Sequence, residues 1–173
     1  MSDCAVSQAE ISVLKLYKTT DNSKSYWETL EDEGVHTIHW GTLGTRGESR
    51  EVKSTFLKKA TSVIQKEIDQ MTADGFEPID VEDHVILLIE YEVDGMGCGE
   101  DVEKRGRLQD RMDETLGWTG LGHCDGGSIG SGSMEACCFV VDFEIAKKVI
   151  EDDLKGTEFE DYTRIFDEEN GYE

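Results

Sequence analysis

The 173-residue sequence predicts an α+β fold, and three observations carry that prediction. The first half holds short alternating strands followed by one amphipathic stripe. The second half reads in the order β-α-β-β-α-β. Within it, Val85-Ile86-Leu87-Leu88-Ile89 and Ala136-Cys137-Cys138-Phe139-Val140-Val141 are the most continuous apolar runs of the chain. This order is that of a ferredoxin-like split βαβ unit, whose first and third strands are central and should be apolar on both faces. The predicted architecture is therefore an antiparallel sheet with one packed helix over residues 1–79, a linker at 80–83, and an acidic ferredoxin-like β-α-β-β-α-β domain over 84–173.

Taken in order, residues 13–17 and 25–30 read as strands, with the turn chemistry of Asp21-Asn22-Ser23 between them. Glu31-Asp32-Glu33-Gly34 reads as a hairpin loop. Residues 35–40 alternate, which puts His36, Ile38 and Trp40 on one face and Val35, Thr37 and His39 on the other. Phe56, Ala60, Val63, Ile64, Ile68 and Met71 recur at helical spacing and predict a helix over 56–71. Ser54 or Thr55 is its expected N-cap, and Gly75 its C-terminal breaker. The single proline, Pro78, opens the short acidic stretch assigned to the linker. In the second half, strands are expected at 85–91, 119–124, 134–141 and 162–166, and helices at 100–116 and 143–154. The glycine-rich segment 125–133 reads as a flexible hairpin loop, because it lacks the Lys and the following helix of a phosphate-binding loop.

Charge is unevenly spread. Residues 81–173 carry 8 Lys and Arg against 25 Asp and Glu, within a net charge of −22 for the whole chain. Such a field repels nucleic acid and favours cationic partners. Residues 43–66 run the other way, with six basic residues (Arg46, Arg50, Lys53, Lys58, Lys59, Lys66) against Glu48 and Glu51. No stretch approaches the roughly 18 apolar residues of a membrane span, and Met-Ser-Asp-Cys opens without the features of a signal peptide. A cytoplasmic location is the expectation, which five unpatterned cysteines (4, 98, 124, 137, 138) also suit.

The segment His39-Trp40-Gly41-Thr42-Leu43-Gly44-Thr45-Arg46-Gly47 closes an alternating strand on an aromatic residue and follows it with three glycines. It resembles the signature turn of the WGR family, a small binding module named for Trp-Gly-Arg. Tyr26-Trp27-Glu28-Thr29-Leu30 resembles that family's opening strand, Arg50-Glu51-Val52-Lys53 the strand after the turn, and the helix ending in Asp74-Gly75-Phe76 its closing helix. The resemblance covers roughly residues 10–79, and departs at the third signature letter, where Thr42 stands in place of Arg. In the poly(ADP-ribose) polymerases the signature Trp and Arg lie at a nucleic-acid contact surface, and such modules also mediate contacts between domains. The resemblance thus implies that Trp40 stacks on a sugar or base, a sequence-tolerant platform, or else packs beneath the glycine turn. Arg46 and Arg50 lie close enough in sequence to stand in for the missing cation.

No enzyme signature emerges, and neither a metal nor a cofactor is expected. Cys137 and Cys138 are adjacent on a strand and point to opposite faces, and no Cys-x-x-Cys pair is present. The sequence reads as a non-catalytic binding protein for a macromolecule, foremost a cationic protein taken by the acidic domain. The alternative is nucleic-acid binding through Trp40, Arg46, Arg50, Lys53, Lys58 and Lys59, with Gly41, Thr42, Gly44 and Gly47 shaping the turn. A third class is a small-molecule enzyme using the cleft of the C-terminal domain. Because both faces of its central strands are apolar, the second sheet's open face is expected to be covered by the first module or by a second subunit.

Overall fold

The computed structural model describes residues 13–32, 35–55 and 59–171. The first sheet is a four-stranded antiparallel meander of β1 (Leu14–Thr20), β2 (Ser23–Asp32), β3 (Val35–Thr42) and β4 (Glu48–Lys53), in that spatial order. Helix α1 (Ala60–Ala73) follows, and a short 3-10 turn (Val81–Asp83) leads into the second half. There β5 (Val85–Glu92), α2 (Gly99–Gly117), β6 (Gly122–Gly130), β7 (Ser133–Val140), α3 (Phe143–Leu154) and β8 (Arg164–Asp167) build a second antiparallel sheet in the order β6-β7-β5-β8. The molecule is α+β, with two four-stranded sheets and three α-helices among the described residues.

The first sheet uses both faces. Leu16, Trp27 and Ile38 point to one side and close a small core with Ile64 of α1, edged by Trp40, Val52, Ile68, Met71 and Phe76. Phe56, the first residue of the expected apolar stripe, lies outside the described residues. The N-cap differs from expectation. The helix starts at Ala60 after Lys59, and Ser54 acts from six residues upstream, its hydroxyl accepting the Ala60 N–H at 3.0 Å. At the other end Gly75 N–H bonds to Thr72 O and Phe76 N–H to Met71 O, a Schellman closure that sets Phe76 beside Met71.

On its other side the sheet contributes Tyr17, Tyr26 and Leu43 to the large core of the second half. That core lies between the second sheet and its two helices. Leu87, Ile89, Ala136, Cys138 and Val140 of the central strands meet Leu108, Met112 and Leu116 of α2 and Ala146, Ile150 and Leu154 of α3, all essentially inaccessible. Each such Leu, Ile, Val or Met side chain contributes about 1.5–3 kcal/mol on burial. The second half thus holds most of the apolar burial, and the first sheet leans on it.

Two expectations about the second half need correction. The strand expected at 119–124 begins at Gly122, because Thr119, Gly120 and Leu121 form the turn that ends α2. The glycine-rich segment is no loop. Residues 125–130 complete β6, with a bulge between Cys124 and Gly127, and pair with β7 up to a two-residue turn, Ser131-Gly132. Both turn residues have positive φ (56° and 93°), the geometry that matches the twist of a hairpin. Glycine is poor in strands, but β7 is apolar on alternate positions and its pairing overrides local propensity.

The outer face of the second sheet carries three cross-strand rows. Ser128, Glu135, Glu90 and Arg164 form the first, Cys137, Leu88 and Phe166 the second, and His123, Phe139 and Ile86 the third. The helices lie on the opposite face.

Candidate partner-binding surfaces

The glycine turn is built where β3 runs out of partners. Thr42 O accepts both the N–H and the hydroxyl of Thr45, at 3.0 and 2.7 Å. Gly41 packs so closely on Gly47 that a Cβ there would lie 2.8 Å from the Gly47 Cα. Thr42 itself is exposed, and Gly44 turns inward to α3. Trp40, on the α1 face, is half-buried, and lines an open groove of about 450 Å³ with Met71, Phe76, Arg50 and Glu67.

Of the described cations singled out in the sequence, only Arg50 joins Trp40 in this groove, and it is bound to Glu67 of α1. Arg46 reaches the other way, to Glu114 of α2 at 3.8 Å. Lys53 pairs with Glu51 at 2.9 Å, Lys59 is exposed beside the start of α1, and Lys58 lies outside the described residues. The set is therefore dispersed around the first sheet rather than gathered beside Trp40.

A second group, which the sequence reading missed, sits where the sheet faces the second half. Tyr26, Glu28 and His39 share the face opposite α1. His39 Nδ1 meets the Glu28 carboxylate at 2.7 Å, its Nε2 meets the Arg46 carbonyl at 2.6 Å, and the Tyr26 hydroxyl lies 2.9 Å from Nε2 while donating to Thr45 O at 3.0 Å. Both ring nitrogens thus face acceptors, the Glu28 carboxylate and the Arg46 carbonyl. Lys15 also pairs with Glu28, at 3.1 Å. The His39 ring stands edge-on to Trp118, centroids 5.0 Å apart, at the mouth of a groove of about 530 Å³ between the two sheets, where Val13, Leu30 and Trp118 remain exposed. Burial, with Glu28 second, raises the Tyr26 hydroxyl to about 12, which keeps it a neutral donor.

The halves are pinned at further points. Gly44 N–H bonds to Thr119 O at 3.0 Å, Gly120 packs on the Tyr26 ring, and Lys24 is paired with Asp142, the N-cap of α3. Burial pulls the Asp142 carboxyl upward, but Lys24 and the Ile145 N–H outweigh it and leave its pKa below the ordinary carboxylate value. A depressed folded-state value stabilises the fold above the unfolded pKa and is lost as pH falls through the folded one. Asp142→Asn keeps a competent cap and removes only the charge. The variant should lose about 0.5–1 kcal/mol at neutral pH, a value screened by the exposure of Lys24. Thermal melts across acid pH should show the difference closing below about pH 4; a constant difference down to pH 2 would contradict this origin.

Comparison with protein-family models, curated proteins and solved structures finds no match. The site must be read from its own chemistry. Among the described residues no group of three or more His, Cys, Asp or Glu is arranged to hold a metal ion. Cys124 and Cys138 are buried, Cys137 faces outward and Cys98 is exposed. Cys124 donates to Cys137 O at 3.2 Å, as a small core residue does. No helix among the described residues is long and apolar enough to cross a membrane.

Proposed function

We propose that this chain is a non-catalytic binding protein for a cationic protein segment, built from a WGR-like module and an acidic ferredoxin-like domain. The meander with one helix supports the first description. The order β6-β7-β5-β8, with the first and third strands of the second half at its centre, supports the second. The observation that carries the functional reading is the disposition of charge. Arg46, Arg50 and Lys53 of the basic stretch are each engaged by a carboxylate of this same chain, so a phosphate backbone would have to displace them. In the second half Lys104, Arg107, Arg111 and Arg164 are likewise held in ion pairs, against 25 carboxylates. The excess that is left for a partner is negative.

The second reading, nucleic-acid binding through the WGR-like module, draws on one observation, the groove that Trp40 shares with Arg50. Anisotropy titrations of the full chain with a labelled basic peptide and with short DNA or RNA separate the two. The peptide is expected to bind and to weaken steeply with salt. DNA and RNA are expected to bind weakly or not at all near 0.15 M salt, where charges about 8 Å apart still act on one another. Tight nucleic-acid binding reduced by Trp40→Ala would overturn the proposal.

A further inference from the structure

We infer that the outer face of the second sheet is the docking surface, and that its occupant is an extended basic segment of another protein with apolar residues at alternate positions. The inference rests on the reading above and gives it a place on the molecule.

The face is apolar at its centre. Half-buried Ile86, Cys137, Phe139 and Phe166 surround the buried Leu88 across β7, β5 and β8, yet none belongs to either core cluster. A contiguous apolar patch of this kind, rimmed by polar groups, marks an interaction surface. Among the described residues the first sheet does not cover it. Their contacts with the second half fall on the end of α2, the turn at Thr119-Gly120 and the start of α3, and they come near this face at the His123 corner. One of the two covers expected from sequence is thus corrected, because the first sheet spends its free face on the helix side.

The rim is acidic. Glu135 lies on this face two residues before Cys137, the Glu168 N–H bonds to Ile86 O, and Asp125 sits at the β6 bulge; after burial and Cys124, all three carboxylates push the Cys137 thiol upward. The cation in the three rows, Arg164, is held by both oxygens of Glu90 (3.0 and 3.2 Å) and lies over the Phe166 ring at 4.1 Å. Burial, then His123 and Lys15, lower the His84 pKa and so disfavour a positive charge at that corner. A second copy of this chain is a poor occupant, since each brings −22 and would set the same carboxylates against each other. Nucleic acid is repelled for the same reason.

The rows also suggest a pattern. Glu135, Cys137 and Phe139 succeed one another on β7, about 7 Å apart along the strand. An extended ligand shares that repeat. A basic residue on Glu135 followed by apolar ones at the second and fourth positions would match it, with further cations meeting Asp125 and Glu168.

The test uses the full chain and a fluorescein-labelled synthetic peptide with Arg, Val and Leu at positions i, i+2 and i+4 and Lys or Thr between them, beside the same peptide with Glu in place of the basic residues. The triple variant Asp125→Asn, Glu135→Gln, Glu168→Gln is expected to weaken basic-peptide binding about tenfold or more. Phe139→Ser should weaken it comparably, with melting curves checking that each variant is folded. A control triple on the exposed helix surfaces, Glu103→Gln, Asp110→Asn and Asp152→Asn, removes the same charge and should change affinity less than about threefold. Equal losses in the two triples would overturn this inference while leaving the proposed function standing. Absence of basic-peptide binding by the parent chain would overturn both. Sedimentation equilibrium showing a dimer that Phe139→Ser dissolves would assign the face to a second copy and overturn the inference alone.

Discussion

Gly44→Val is expected to destabilise the protein by about 3 kcal/mol, the sum of two separate costs. Gly44 has φ of +86°, where a side chain costs roughly 1–2 kcal/mol. A Cβ there would also lie 2.6 Å from Ile145 Cγ2 on α3, and overpacking of a well-filled site adds about 1–3 kcal/mol. Relieving that clash by moving the turn would strain the Gly44–Thr119 hydrogen bond. Thr42→Arg is the contrasting case. Only the carbonyl of Thr42 is used by the turn, and its exposed side chain can be exchanged within about 0.5 kcal/mol. Urea denaturation of the two variants should give clearly different midpoints. Equal shifts would mean that the third letter of the turn shapes the fold, contrary to the geometry.

The second large effect is expected at Glu28. Its carboxylate, 14% exposed, is shared by Lys15 and His39, the latter only 5% exposed. Glu28→Ala leaves the buried His39 Nδ1 without its acceptor and Lys15 without its counter-charge. An unsatisfied buried polar group costs about 1–3 kcal/mol, and Lys15 can turn to water, so about 2 kcal/mol is expected here. Glu28→Gln keeps an acceptor for His39 Nδ1 and should recover part of that loss. A double-mutant cycle with His39→Ala isolates the pair, and a coupling of about 1–3 kcal/mol is expected. Additive losses would show that the contact carries no energy of its own.

Much of the fold was legible because it follows from periodicity. The alternation of 35–40, the helical stripe of 60–71 and the two apolar runs at 85–89 and 136–141 are strong enough to survive tertiary context. The site was far less so. Reading 31–34 as a four-residue loop sets Glu28 opposite Thr37. The strands instead pair out to Asp32 and Val35, which sets Glu28 opposite His39. That two-residue slip in register, invisible to hydropathy because the faces are kept, hides the buried Glu28–His39 contact. Trp118 was missed because it lies in the turn after α2, outside any periodic run. The glycine-rich strand was missed because its structure comes from its partner, and a count of the eight residues of β7 needing a neighbour was the one signal available.

The notch that Gly120 leaves for the Tyr26 ring, where a methyl would come within 2.3 Å of the aromatic carbons, has a thermodynamic consequence. A first sheet whose own core has four buried residues among those described draws its cohesion from the second half through that notch. The two sheets should then melt in one cooperative step rather than as beads on a string. By mass action, anything that binds one sheet holds the other folded as well. The buried indole of Trp27, on the far side of the first sheet, thereby becomes a remote optical gauge of occupancy elsewhere on the molecule.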